Sequence, residues 1–235
     1  MIEAVLFDFF GTLVDYSPSR VEQGYPRTHA LLAEHGVALA YDEFLTAWVA
    51  VSEELDDWSR RLSREFSMEM VGARFLSRIG APVNDSVLAR ALGDMYVEEW
   101  GRSVRYLPGI VPFIAELTAD YRLGIVTNTH HAGLVPSHLE RMGIAASFRS
   151  LVTSVELGHP KPHPAIFEAA LRGVGSAPHR TLFVGDSYAA DYLGAKRTGM
   201  HAALIDPGAS SPVPAAESMR SLFDLRAHLD ARSLA

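Results

Sequence analysis

Three apolar runs in the chain end on a side chain able to do chemistry: 4–7 leads into Asp8, 122–126 into Thr127, and 181–185 into Asp186. A β-branched and aromatic run that stops at a polar residue reads as a buried strand ending in a turn. In an open parallel sheet the carboxyl ends of the strands line the ligand crevice, so Asp8, Thr127 and Asp186 would meet at one edge despite their separation in sequence. Lys161 sits in Gly158-His-Pro-Lys-Pro-His-Pro164, where prolines stiffen an extended loop and can hold an ammonium in a fixed place. A turn-capping Asp8 and a solvated loop Lys161 are the plain structural alternatives. Against the second, Lys161 and Lys196 are the only lysines in an arginine-rich chain, and a compact point charge kept at this place points to use.

The elements that would position these groups follow from periodicity. Between 17 and 101 the pattern is helical throughout: Phe44, Trp48, Val51, Leu55, Trp58 and Leu62 recur at three and four spacing, and Met68, Val71, Phe75 and Ile79 continue it. That predicts a small helical bundle with those residues, Trp48 and Trp58 included, as its core. Arg60, Arg61 and Arg64 beside Glu53, Glu54, Asp56 and Asp57 read as a solvated helix face. From Tyr106 strands and helices alternate: helix to about 119, strand 122–127, helix 132–142, strand 151–153, helix 164–173, strand 181–186, helix 189–198, strand 202–205 and a terminal helix near 222–229. Such units imply a parallel sheet covered on both faces.

With 235 residues and 48% hydrophobic content, the chain can bury one large domain or a domain with an insertion. Zero cysteines exclude disulfides, thiolate metal sites and cysteine nucleophiles. The absence of a signal-like N-terminus or a bilayer-length apolar run predicts a soluble, cytoplasmic protein. A net charge of -7 argues against a nucleic-acid partner. A small anionic ligand would need local help from a metal or a few arginines.

These residues carry a resemblance to the haloacid dehalogenase superfamily of hydrolases, over nearly the whole chain. Asp8-Phe-Phe-Gly-Thr12 resembles its first motif, Thr127-Asn128 the second, Lys161-Pro162 the third, and Gly185-Asp186-Ser-Tyr-Ala-Ala-Asp191 the fourth. The resemblance implies a doubly wound, Rossmann-like α/β core (1–16 and 102–235) with an inserted α-helical cap (17–101). It implies an Asp8 nucleophile, and charge stabilisation by Thr127 and Lys161. Mg²⁺ would be held by Asp8, Asp186, Asp191 and the backbone carbonyl of Phe10. Phe10 and Asn128 are expected to face substrate. Arg20 and Arg27, placed just past the first strand, read either as groups reaching an anionic substrate from the cap or as surface arginines. The partner would be a small phosphorylated metabolite, and the assembly a monomer or homodimer.

One departure matters. Phosphatases of the superfamily usually carry a second Asp two positions after the nucleophile, and here that position is Phe10, which cannot transfer a proton. The 2-haloacid dehalogenases have an aromatic residue there and use no metal, but resemble Ser-Asn where this chain has Gly185-Asp186. Carboxylates crowded around one Lys161 need a cation, which favours the Mg²⁺-dependent reading over dehalogenation or a low-activity binding or regulatory role. The phosphonate-cleaving branch, which uses a cap lysine, is set aside because 17–101 contains none. His130 and His131 stand as a substitute acid/base or as capping or solvated residues. His159 and His163 read as loop residues.

Overall fold

The computed structural model describes residues 1–81 and 86–233. In chain order the elements are β1 (Ala4–Phe7), β2 (Val14–Asp15), α1 (Pro26–Glu34), α2 (Tyr41–Leu62), α3 (Met68–Arg78), α4 (Ser86–Trp100), β3 (Arg105–Tyr106), α5 (Ile110–Leu117) and β4 (Arg122–Thr127). They continue with α6 (Leu134–Met142), β5 (Phe148–Thr153), α7 (Ser154–Leu157), α8 (Pro164–Val174), β6 (Thr181–Gly185), α9 (Leu193–Arg197), β7 (His201–Ile205), β8 (Ser218–Met219) and α10 (Leu225–Ser233). They fall into two compact units: Met1–Tyr16, Arg105–Thr129 and Val135–Ala235 form one, Ser17–Val104 and His130–Leu134 the other.

The first unit is an α/β fold built on a six-stranded parallel sheet, in the order β5-β4-β1-β6-β7-β8. All four residues of β1 are fully buried, as a central strand covered on both faces requires; this is why it reads as a continuous apolar run rather than an alternating one. On one face Leu6, Val126, Phe183 and Ala202 pack with Ile166, Phe167 and Ala170 of α8 and Ala195 of α9. Register does the rest. Phe7 pairs with Ile125 on one side and Val184 on the other, and the Asp8 amide donates to the Val184 carbonyl at 2.9 Å. Asp8, one residue beyond this register, and Thr127 and Asp186, two beyond it, therefore come together at the carboxyl edge.

Two short pieces escape the periodicity. β2 and β3 pair antiparallel, Val14 with Tyr106 and Asp15 with Arg105, so the chain leaves the sheet unit and returns to it as a two-stranded ribbon. Strands of two residues have no alternation to detect. The helix expected over 189–198 begins instead as a π-helical turn, Tyr188–Tyr192, before α9. Such turns insert one residue into the helix and often mark functional sites.

In the second unit Phe44, Trp48, Val51 and Leu55 of α2 are buried, as are Met68, Val71 and Phe75 of α3. The expected stripe is not core to its end: Trp58 is only half-buried and Leu62 is exposed. The reason is length, because α2 has 22 residues and its neighbour α3 has 11, so the last turns outrun their partner. Glu99, completely buried on α4, accepts from the Arg27 and Thr28 amides and the Thr28 hydroxyl at 2.8–3.1 Å. It thereby satisfies orphan donors at the start of α1. No helix among the described residues is long and apolar enough to cross a membrane.

Candidate active site

At the carboxyl edge of the sheet, the carboxylates of Asp8, Asp186 and Asp191 present oxygens that all lie within 4.8 Å of one another. Asp8 follows β1, Asp186 follows β6, and Asp191 comes from the π-helical turn. The Lys161 ammonium is buried among them, 2.6 Å from Asp8 Oδ1 and 2.7 Å from Asp191 Oδ1. The other Asp191 oxygen accepts from the Ser187 amide at 2.9 Å. Both Asp191 oxygens are thus in use, whereas Asp186 is exposed at the edge.

Glycine makes this crowding possible. A Cβ on Gly185 would lie 2.4 Å from Asp191 Oδ2 and 2.5 Å from its Cγ, and one on Gly11, whose φ is +81°, would lie 2.2 Å from Asp186 Oδ2. Gly185→Ala is therefore expected to push Asp191 off Lys161 and to lower turnover by about 10²-fold, the order seen when one preorganised electrostatic contact is lost. Steady-state kinetics on folded variant protein check this, and unchanged turnover would remove Asp191 from the catalytic arrangement.

The electrostatics leave the site short of positive charge. Burial, reinforced by Asp191, pushes the Asp8 carboxyl up to about 6 even with Lys161 alongside. Burial and the same neighbour raise Asp186. Burial works to lower Lys161, but Asp191 and Asp8 outweigh it and hold the ammonium above its usual range, so it stays charged. Three carboxylates against one ammonium, offering hard oxygen donors, fit a small divalent cation such as Mg²⁺.

The Thr127 hydroxyl at the end of β4 is buried without a hydrogen-bond partner, and so is that of Thr12. A buried hydroxyl left unpaired costs stability, and one at the end of a strand beside that of Asp8 suits a ligand. Phe10 is half-buried, its ring centroid 4.9 Å from that of Phe9 and 5.5 Å from that of Tyr16. Asn128 directs its carboxamide at Lys161: Oδ1 accepts from the Lys161 amide at 2.7 Å, and Nδ2 donates to the Lys161 carbonyl at 3.2 Å.

The remaining candidates are engaged elsewhere. Arg20 belongs to the second unit and pairs with Asp56 at 2.8 Å. Arg27 pairs there with Glu98. His130 and His131 also fall in that unit. His130 Nδ1 lies 2.8 Å from Glu65 with its ring stacked on Phe66, and His131 Nε2 lies 2.9 Å from Asp94. His159 and His163 stack at 4.0 Å, and His163 Nδ1 accepts from the Ala165 amide at the start of α8. One group escaped the sequence reading. Tyr16, just past β2, has its phenol pushed up by burial and by the charges of Asp186, Asp8 and Asp191. A tight turn, in which the Gly11 amide donates to the Val14 carbonyl at 2.8 Å and Val14 bridges to Phe10, brings it back to Phe10, and no motif marks it.

The family model for haloacid dehalogenase-like hydrolases matches residues 2–199, and the chain belongs to that family of enzymes. A glyceraldehyde 3-phosphate phosphatase of Methanopyrus kandleri is 30% identical over 204 residues, covering 85% of this chain and 82% of that protein. A ribulose-1,5-bisphosphate 5-phosphatase of Halopiger xanaduensis is 27% identical over 213 residues, covering 90% and 87%. Among solved structures, a 2-haloacid dehalogenase from Pseudomonas syringae pv. Tomato superposes with a TM-score of 0.75 over 98% of this chain and 99% of that one. At 24% identity that likeness speaks for the fold alone.

Proposed function

We propose that this hydrolase is a Mg²⁺-dependent phosphatase of a small phosphorylated metabolite, with Asp8 as its nucleophile. The observation that carries the reading is the cluster of Asp8, Asp186 and Asp191 around a single Lys161, and the named activities of relatives matched over most of their length support it. An Asp8 oxygen forms a bond to phosphorus as the bond to the leaving oxygen breaks. Water then cleaves the acyl phosphate, releasing inorganic phosphate and restoring the carboxylate. The Thr127 hydroxyl and the Lys161 ammonium take up charge on the equatorial oxygens of the transferring group. When bound by Asp8, Asp186 and the Phe10 carbonyl, with Asp191 close by, Mg²⁺ would supply the positive charge that lets an anionic carboxylate approach an anionic ester.

Phe10 leaves the departing oxygen without a proton donor at that position. Aryl and acyl phosphates, whose leaving groups depart unprotonated, are therefore expected to react faster than alkyl phosphates by about 10²–10⁴-fold. Phe10→Asp should narrow that gap. The test offers purified enzyme aryl phosphate, alkyl phosphate and 2-chloropropionate, each with Mg²⁺ and after chelation. Phosphate release that needs metal and favours the aryl ester supports the proposal. Chloride release without metal would support the dehalogenase reading that the aromatic Phe10 keeps open, and release of neither would support a binding or regulatory role.

A further inference from the structure

We infer that Asn128 is a positioning residue for Lys161, holding the ammonium between Asp8 and Asp191, rather than a group that binds substrate. Lys161 lies on the loop between α7 and α8, in a stretch where Pro160, Pro162 and Pro164 each lack an amide donor. A segment so poor in N–H groups cannot be tied down by an ordinary backbone ladder. The Lys161 amide is one of the few donors left, and Asn128 takes it at 2.7 Å while returning a hydrogen bond to the Lys161 carbonyl at 3.2 Å. A carboxamide carries one acceptor and one donor group side by side, matching a peptide unit as a neighbouring strand would. Two-point contact fixes both the place and the rotation of the peptide at 161. From there the side chain reaches Asp8 at 2.6 Å and Asp191 at 2.7 Å. Asn128 itself follows the end of β4, so the sheet sets the ammonium through a single side chain.

The consequence is a division of labour in Thr127-Asn128: the hydroxyl is left unbonded for a ligand, and the amide side chain serves the lysine. Its activity readout rests on the phosphatase reading, so the experiment has an arm that does not. The chain has two lysines, which makes amine labelling selective. Folded protein is treated briefly with acetic anhydride, and peptide mass spectrometry gives the labelling of Lys161 relative to Lys196, the internal reference. Losing both hydrogen bonds in Asn128→Ala is expected to raise that ratio about tenfold. Asn128→Ser serves if the alanine variant does not fold. An unchanged ratio, whatever the melting temperature, overturns the inference.

In the second arm, aryl phosphate turnover with Mg²⁺ is measured in a double-mutant cycle with Lys161→Met. Asn128→Ala should lower kcat in the wild-type background and have no further effect once Lys161 is methionine. Additive losses would mean that Asn128 acts on substrate directly, which overturns the inference. A wild-type enzyme inactive on phosphate esters would sink the function reading, while the labelling ratio would still decide the role of Asn128.

Discussion

Asp8→Asn is expected to abolish turnover, lowering kcat by about 10⁴-fold or more, while the protein stays folded. The two side chains are nearly isosteric, and the amide of residue 8 still donates to Val184 within the sheet. What is lost is the anionic oxygen that would bond to phosphorus. A second effect has the opposite sign. The Asp8 carboxyl is held at about 6, above its ordinary 3.8, so the folded protein binds the proton more tightly than the unfolded chain. Stability from that group is present below about 3.8 and is lost as pH rises through about 6. Metal-free Asp8→Asn should therefore melt no lower than the wild type near neutral pH, and any gain should shrink as the solution is acidified. Thermal scans across that range check this part. A variant that turns over at the wild-type rate would remove Asp8 from the chemistry.

Asp186→Ala should remove metal-dependent activity by about 10²–10³-fold, and chelation of the wild type should do the same. Asp186 is the carboxylate of the cluster with no ion pair to Lys161, and it stands exposed at the edge. It is thus the one best able to take a cation without disturbing the Lys161 pairs. Titrating Mg²⁺ against melting temperature gives a readout besides activity: the wild type should rise with added metal and Asp186→Ala should not. If the chelated wild type keeps full activity, the cluster is an electrostatic device of another kind, and the dehalogenase chemistry gains ground.

Much of this arrangement was legible in the sequence because strand ends in a parallel sheet are predictable places. Asp8, Thr127 and Asp186 close β1, β4 and β6, and the registry of Phe7 with Ile125 and Val184 gathers them. Other parts were invisible for stated physical reasons. Ser218–Met219 and the β2–β3 ribbon are too short to show a period, and the tight turn over 9–14 that returns Tyr16 toward Phe10 has none either. The expected core positions Trp58 and Leu62 failed because periodicity marks a face and not the length of what covers it. The histidines after Thr127 look available in sequence, but their carboxylate partners, Glu65 and Asp94, lie far back in the chain. Gly185 read as part of a motif, yet its reason is steric: the Asp191 carboxylate occupies the space a Cβ would need.

The most direct test of covalent catalysis by Asp8 is to quench the enzyme in acid during turnover of an aryl phosphate with Mg²⁺, digest it, and locate any phosphoryl group by mass spectrometry. The account predicts the added mass of one phosphoryl group on the peptide carrying Asp8, lost on treatment with hydroxylamine. A phosphoryl group found on any other residue during productive turnover would contradict it.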